Sequence, residues 1–402
     1  MILIEGTSAH AWGNGQWVIH CPNGRNFLIN ERTHSLYQIL TSHSSYLEAL
    51  DTFNLQFQTT YSEPQFRDMV GKVLGGYQIL AEDIAIARPK VLNNYLKLKV
   101  QLVNARVAGF LAQPLTYLYS PTLFWKLFVG LISFLSYWFY AEPMALVIDP
   151  KTISPESLAL LPFLFYASMP VHELGHIAAC RNSGLQHGGI GFGFYFLLPV
   201  MYADITQIWL ANKERRTIAN LGGIFSELLY ASLLVLTYTI TQDPIYYVAG
   251  LSIALFVVWE FNPFVRFDGY WILADLTGTP NLLQKSKQMV QRVGRAWWKQ
   301  EEINWNTRML GLFVYGILNT ALLFLFMGYM AWAYQVEVVQ FPEKLVWTLE
   351  NWLHGNWDFS EIHRTFFVVL TFYILILRLL IQYGTKIFRA WRKGARQGEA
   401  DN

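Results

Sequence analysis

The chain has 402 residues and a formal net charge of +2, with 53% hydrophobic and only 14% charged residues. This composition favours a polytopic membrane protein over a set of soluble domains, and the near-neutral charge gives no reason to expect a nucleic-acid partner. The two cysteines, Cys21 and Cys180, are too few for a disulfide framework or a thiolate zinc site.

The first part of the chain, residues 1–90, predicts a small cytosolic α+β domain of the winged-helix kind. An Asn-Gly pair at 23–24 lies between two β-rich runs, which is a strong hairpin signal. Three helical patterns follow the hairpin. Ser44 or Ser45 is expected to cap the second helix, and Ser62 opens the third.

A membrane region is predicted to follow this domain. Residues 91–120 are basic and amphipathic, and we expect this linker to lie against the membrane surface. The rest divides into a membrane core at 121–280 and accessory helices with a basic tail at 281–402. A helix needs roughly 20 apolar residues to cross the ~30 Å hydrocarbon core of the lipid bilayer. Six such spans are predicted, at about 122–141, 157–180, 217–240, 245–262, 309–334 and 365–384.

The charges of the connecting segments predict how these spans are oriented. Alternate segments carry clusters of Lys and Arg, whereas the segments between them carry few. Because cytoplasmic loops hold the excess of positive charge, both termini are expected to be cytoplasmic. The N-terminal residues lack the pattern of a signal peptide, which agrees with a cytosolic start.

The second predicted span contains the sequence HELGH at 172–176. Positions i and i+4 share a helix face, so His172 and His176 can present their rings to one metal ion, and zinc is the preferred ion for such a pair. Glu173 is placed to act as a base rather than as a ligand. The alternative is a chance occurrence, but ionisable groups within a membrane span are costly and usually functional.

Two histidines leave a zinc ion short of ligands, so a third must come from elsewhere. The best candidate is Asp268 in NPFVRFDG, where Pro263 ends the preceding helix and Gly269 allows a sharp turn. The predicted topology brings this segment and HELGH to the same leaflet. The chain would have to fold back there, which is tolerated only inside protein or beside a water-filled cavity.

HELGH together with NPFVRFDG resembles the site-2 protease family of intramembrane zinc metalloproteases, in its peptide zinc metalloprotease branch. The resemblance implies that His172, His176 and Asp268 bind Zn²⁺ and that Glu173 is the general base. It also implies that Asn262 helps to hold the substrate backbone or the transition state, and that the protein lies in the inner membrane of a bacterium.

Two further segments are compared with that family. Residues 188–206 resemble its membrane-edge β segment, to which extended substrates add a strand; the alternative is an ordinary Gly-rich interfacial loop. The third span departs from the family's Gly-Pro-x-x-Asn pattern, with Ser226 and Glu227 near the Asn position. No catalytic role is assigned to either of these residues.

The N-terminal domain resembles the PqqD-like leader-peptide recognition domain in two stretches, FLINERTHSLYQIL and FRDMVGKVLGGYQIL. The resemblance implies that residues 1–90 bind part of a peptide or precursor-peptide substrate; the alternative is a generic winged-helix fold. Together the two resemblances imply a zinc metalloendopeptidase that matures a ribosomally made peptide or removes its leader, with peptide-modifying or export partners. The alternatives are a peptide exporter or immunity component with a structural zinc, and the regulated proteolysis of a membrane-anchored regulator.

Several other ionisable residues stand out by their position. Glu227 and Arg378 are buried charges by the predicted topology and either pair with each other or line a path for substrate or protons. Asp204 and Asp275 are candidates for orienting metal ligands through hydrogen bonds. His187 follows HELGH closely, and we interpret it as an interfacial histidine rather than a ligand.

Overall fold

The computed structural model describes residues 2–13, 15–21, 25–77, 79–81, 96–142, 154–195 and 198–355, and parts of 366–385. The chain divides into two units, Met1–Pro280 and Asn281–Asn402, which are described separately. Predictions that concern the turn at 23–24, residues 82–95 and Arg378 lie outside the described residues.

The first unit begins with a small sheet followed by helices. The strands pair antiparallel in the order β1-β2-β3, and β2 and β3 pair as the predicted hairpin requires. Of the two predicted caps of the second helix, Ser45 is the one observed: its side chain accepts a hydrogen bond from the backbone N–H of Glu48. The elements are β1 (Ser8–Gly13), β2 (Gln16–His20), β3 (Asn26–Asn30), α1 (Glu31–Ser42), α2 (Tyr46–Phe57) and α3 (Glu63–Leu74).

An apolar core holds these elements together. Ile19 from β2 and Leu40 from α1 are almost completely buried, as is Phe66 from α3. A side chain of this size stabilises the fold by about 1.5–3 kcal/mol when it is fully buried. The structure thus confirms a small N-terminal domain with a sheet, while its relation to winged-helix folds stays a prediction.

A second antiparallel sheet precedes and follows the HELGH helix in sequence. It has the order β4-β5-β6, with β4 (Leu96–Val103) from the predicted linker and β5 (Ile190–Tyr195) and β6 (Leu198–Ala203) from residues 188–206. The region that resembled a membrane-edge β segment therefore contains a strand pair. A short helix, α4 (Ala105–Ala112), continues the chain from β4.

Apolar helices make up the remainder of the first unit. Their shared core includes fully buried side chains such as Ile177, Ile224 and Ala249. The helices are α5 (Pro121–Ala141), α6 (Pro155–Asn182), α7 (Lys213–Asn220), α8 (Gly222–Thr241), α9 (Pro244–Glu260) and α10 (Asp268–Leu276). Tight packing of α6 against α8 and α9 fixes the positions of the side chains that these helices present to one another.

The second unit consists of helices as far as it is described. They are α11 (Leu282–Lys299), α12 (Thr307–Ala333) and α13 (Gln335–Leu353), followed by the partly described apolar stretch Val369–Ile381. The segment between the predicted spans at 309–334 and 365–384 contains a further helix, because its first nineteen residues form α13. A stretch with several acidic residues can still be helical where apolar residues recur along one face.

Four helices among the described residues are long and apolar enough to cross a membrane: α5, α6, α8 and α12. The predicted span at 217–240 begins only at Gly222, because the polar helix α7 occupies its first residues. The predicted span at 245–262 is the 17-residue α9, which is about 25 Å long and shorter than the hydrocarbon core. The chain is therefore a mostly helical membrane protein, and the count of six spans remains a prediction.

Candidate metal centre

The two histidines of HELGH lie one turn apart on α6 and point to the same place. The Nε2 atoms of His172 and His176 are 3.1 Å apart. Each side chain is only 11% exposed. The helical spacing alone puts both rings on one face, and the packing of α6 turns that face into the protein.

Asp268 brings a carboxylate to the same point from a distant part of the chain. It is the first residue of α10, and its Oδ2 atom lies 3.4 Å from Nε2 of His172 and 3.4 Å from Nε2 of His176. The chain reaches this position by folding back after α9. Gly269 packs so closely on the backbone of Phe261 that a Cβ atom there would overlap it. The expected return of the chain is present in the structure.

These three atoms have the separations that zinc ligands require. Ligand atoms placed tetrahedrally at about 2.0–2.1 Å from zinc are roughly 3.3 Å apart, and the observed separations are 3.1, 3.4 and 3.4 Å. The Oδ2 atom of Asp268 is buried and has no hydrogen-bond partner. Because a buried carboxylate oxygen without a hydrogen-bond donor is unfavourable, and two neutral histidines would not compensate its charge, the residues fit a bound divalent cation. Two imidazoles and one carboxylate are the donor set of a catalytic zinc site.

The second ring nitrogen of His176 is held by the protein backbone. Its Nδ1 atom lies 2.7 Å from the carbonyl oxygen of Ala219, at the end of α7. A carbonyl only accepts hydrogen bonds, so Nδ1 carries the proton and Nε2 keeps its lone pair for a metal. The sequence showed no sign of this contact, because it depends on how α7 packs on α6.

The second ring nitrogen of His172 faces two carboxylates instead. Its Nδ1 atom lies 3.4 Å from Oε2 of Glu227 on α8 and 3.5 Å from Oε1 of Glu260 at the end of α9. The three residues form a second group that could hold a cation. Sequence reasoning gave Glu227 no catalytic role and did not single out Glu260. The available signal was an ionisable residue within an apolar helix, which commonly marks a functional site.

Glu173 joins the candidate ligands to the neighbouring sheet. Its side chain is only 7% exposed, and the backbone of Ala203, the last residue of β6, hydrogen-bonds to it. It also lies near enough to both histidines and to Asp268 to interact electrostatically with each of them. A buried carboxylate beside these residues is suitably placed to handle protons during a reaction.

Asn262 and Asp204 are engaged in local hydrogen bonds. The side-chain oxygen of Asn262 accepts from the backbone N–H of Phe264, 2.9 Å away, within the turn that leads to Asp268. Asp204 accepts a hydrogen bond of 2.6 Å from the hydroxyl of Thr206. These contacts explain how both residues support turns. The proposed role of Asn262 toward substrate stays a prediction.

Asp275 is part of a polar cluster between the N-terminal domain and the membrane core. It accepts hydrogen bonds from Asn220, at 2.6 Å, and from Arg216, at 3.3 Å. The guanidinium of Arg216 stacks on the indole of Trp12, with its carbon 3.4 Å from the ring centroid. It also donates a 2.7 Å hydrogen bond to the carbonyl of Ala211. The cluster therefore joins β1 to α7 and α10.

The charges in this cluster depend on each other. Arg216 is only 2% exposed, and burial lowers the pKa of its guanidinium below the ordinary value. Burial also raises the pKa of Asp275 above its ordinary value, while Arg216 acts in the opposite direction. Among the described residues, the side-chain hydrogen bonds of Asp275 go to Arg216 and Asn220 of α7. Asp275 supports α7, whose carbonyl at Ala219 holds His176.

Comparisons with known proteins give one similarity. No protein-family model matches the chain, and no solved structure matches it. The chain is similar to a Bacillus subtilis (strain 168) protein named "Putative peptide zinc metalloprotease protein YydH", with 24% identity over 117 residues. The match covers 28% of this chain and 46% of the relative, so the chain spans less than half of that protein's length. The similarity supports a zinc metalloprotease and does not bear on the likeness of residues 1–90 to PqqD-like domains.

Proposed function

We propose that this protein is a membrane-embedded zinc endopeptidase of the site-2 protease type. One observation carries the proposal: His172 and His176 from α6 and Asp268 from α10 converge in a buried site beside Glu173. The distances among the three candidate ligand atoms match those around zinc, and the similarity to a protein named as a putative peptide zinc metalloprotease supports the same function.

The proposed chemistry is the hydrolysis of a peptide bond. His172, His176 and Asp268 would hold the zinc ion, which would supply Lewis-acid activation of a water molecule and of the scissile carbonyl. Glu173 takes a proton from the attacking water and passes it to the leaving amine. The hydrogen bond from Ala203 keeps the carboxylate in one orientation. Burial of the site limits the access of bulk water and strengthens the electrostatic interactions within it.

The second sheet suggests how a substrate reaches Glu173. Strand β6 pairs with β5 on one side, and no strand covers its other side among the described residues. Ala203 at its end contacts Glu173. A peptide that paired with the free edge of β6 would therefore run extended toward the base, with its backbone presented for attack. This arrangement favours an unfolded peptide or a peptide leader as the substrate.

The test is a comparison of E173Q with E214Q in full-length protein purified in detergent and loaded with zinc. Glu214 lies exposed on α7, so E214Q is a matched control for loss of one carboxylate. We expect E173Q to retain zinc and to lose about 10²–10⁴-fold in peptide cleavage, with E214Q unchanged. Unaltered cleavage by E173Q would exclude the proposed mechanism. Zinc binding without any peptide cleavage by the wild type would instead favour an exporter or immunity protein with a structural zinc.

The proposed substrate class is a ribosomally made precursor peptide recognised in part by residues 1–90. Peptides that accumulate in cells expressing E173Q would identify candidates by mass spectrometry. We then expect the full-length enzyme to show a lower KM for a precursor that keeps its leader than for the same peptide without it. Equal KM values would argue against leader capture, and cleavage of a membrane-anchored regulator alone would favour regulated proteolysis.

A further inference from the structure

We infer that Glu227 and Glu260 are positioning residues that orient His172 by accepting a hydrogen bond from its Nδ1–H. The inference rests on the proposed function, because it concerns the same zinc site. It assigns a role to two glutamates that the HELGH and NPFVRFDG sequences do not include.

The two ring nitrogens of His172 face different groups of residues. Its Nε2 atom faces His176 and Asp268, whereas its Nδ1 atom faces the two glutamates on the opposite edge of the ring. A neutral imidazole has one nitrogen that donates and one that accepts. A carboxylate at Nδ1 therefore selects the tautomer whose Nε2 lone pair is directed at the metal position.

Both glutamates are buried. Glu227 is only 1% exposed and Glu260 only 8%. Within the described residues, His172 is the ion-pair partner of each of them. The Nδ1 atom of His172 and the Oε2 atom of Glu227 are both buried, neither has a hydrogen-bond partner, and they lie 3.4 Å from each other. A buried polar atom that makes no hydrogen bond destabilises the fold. We therefore assign these two atoms to each other as donor and acceptor.

His176 is oriented by a different kind of acceptor. That ligand is oriented by the carbonyl of Ala219, which is neutral. A carboxylate on His172 is a stronger acceptor and makes the imidazole a more basic ligand. The two rings are thus held differently, and Glu227 and Glu260 come from α8 and α9. The packing of these two helices on α6 thereby determines the direction of the metal-binding nitrogen.

A second cation between His172, Glu227 and Glu260 is the competing explanation, since their ligand atoms lie within 4.8 Å of one another. It would require His172 to lose its Nδ1 proton and to bridge two metal ions. A hydrogen bond from the protonated nitrogen needs no such step. The number of bound metal ions separates the two explanations.

The experiment measures zinc and cobalt binding to full-length protein in detergent. The first variant, E227Q, has the size of the wild-type side chain and keeps one acceptor oxygen. The other two, E227L and E260L, remove the acceptor oxygens of the substituted side chain. The control is E214Q on the exposed surface of α7. Zinc affinity is measured by competition with a chelator, metal content by elemental analysis, and coordination by the visible spectrum of the Co²⁺-loaded protein.

We expect one zinc per wild-type chain, an affinity about 10–100-fold lower in E227L and E260L, and a smaller loss in E227Q. The Co²⁺ spectrum should change in E227L and stay unchanged in E214Q, which separates positioning from a general loss of stability. Wild-type affinity in both E227L and E260L would overturn the inference. Two metal ions in the wild type and one in E227Q would overturn it in favour of a second cation site. A wild-type protein that binds no zinc would overturn the proposed function itself.

Discussion

Replacement of Arg216 by methionine tests whether the N-terminal domain and the metal site are mechanically connected. Arg216 stacks on Trp12 of β1 and pairs with Asp275 of α10 while lying within α7. R216M keeps much of the side-chain volume but removes the charge and the hydrogen bond to Ala211. It therefore leaves the half-buried carboxylate of Asp275 without its cationic partner.

The expected loss follows from the burial of the pair. Removing one partner of a buried ion pair typically costs about 3–5 kcal/mol, and Arg216 is only 2% exposed. At roughly 2–4 °C per kcal/mol for a unit of this size, the Tm should fall by about 6–20 °C. Zinc affinity should fall as well, because α7 carries the Ala219 carbonyl that holds His176.

The assay is thermal unfolding in detergent, followed by tryptophan fluorescence, together with zinc competition. The control is K213M, an exposed position on the same helix whose ammonium donates to the Leu276 carbonyl. We expect K213M to change the free energy of unfolding by less than about 0.5 kcal/mol. The double variant R216M/D275N should recover at least about 1 kcal/mol relative to R216M, because no unpaired charge remains. An R216M protein with the stability of K213M would refute this reasoning.

Three further predictions concern the site and the N-terminal domain. A Cβ atom at Gly223 would overlap the His172 ring, so G223A should weaken zinc binding by about tenfold or more, whereas G130A on α5 has open space and should not. N262D keeps the oxygen that accepts the local turn hydrogen bond but loses the amide N–H groups. If those N–H groups hold the transition state, kcat should fall by about 10²–10³-fold, with zinc affinity unchanged. A normal kcat would exclude a catalytic role for Asn262. Burial raises the pKa of the Cys21 thiol from 9.0 to about 11, so its alkylation at pH 8 should be about 100-fold slower than that of an unfolded thiol. The free energy of unfolding should also fall as the pH rises from 9 toward 11, and C21A should lack this decline.

Part of the N-terminal domain could be predicted because its signals are local. The strand pair on either side of Asn-Gly and the cap at Ser45 depend on residues that are close in sequence. Such signals act within one turn or one hairpin, where backbone geometry decides the outcome. The third helix likewise begins directly after the predicted Ser62. The helix at 335–353 was not expected, because its three glutamates and one lysine exclude it as an apolar span and the segment was assigned to a connection between spans.

The sequence by itself determined which residues are able to bind a metal in this protein. HELGH puts two imidazoles on one face of a helix because the α-helix repeats every 3.6 residues, and Asp268 was the carboxylate within reach at the end of a neighbouring apolar run. Only the tertiary structure decided what holds those ligands. Ala219 contacts His176, and Glu227 and Glu260 contact His172. These contacts join residues 43 or more positions apart, and they depend on the rotation and crossing of packed helices, which no local pattern specifies.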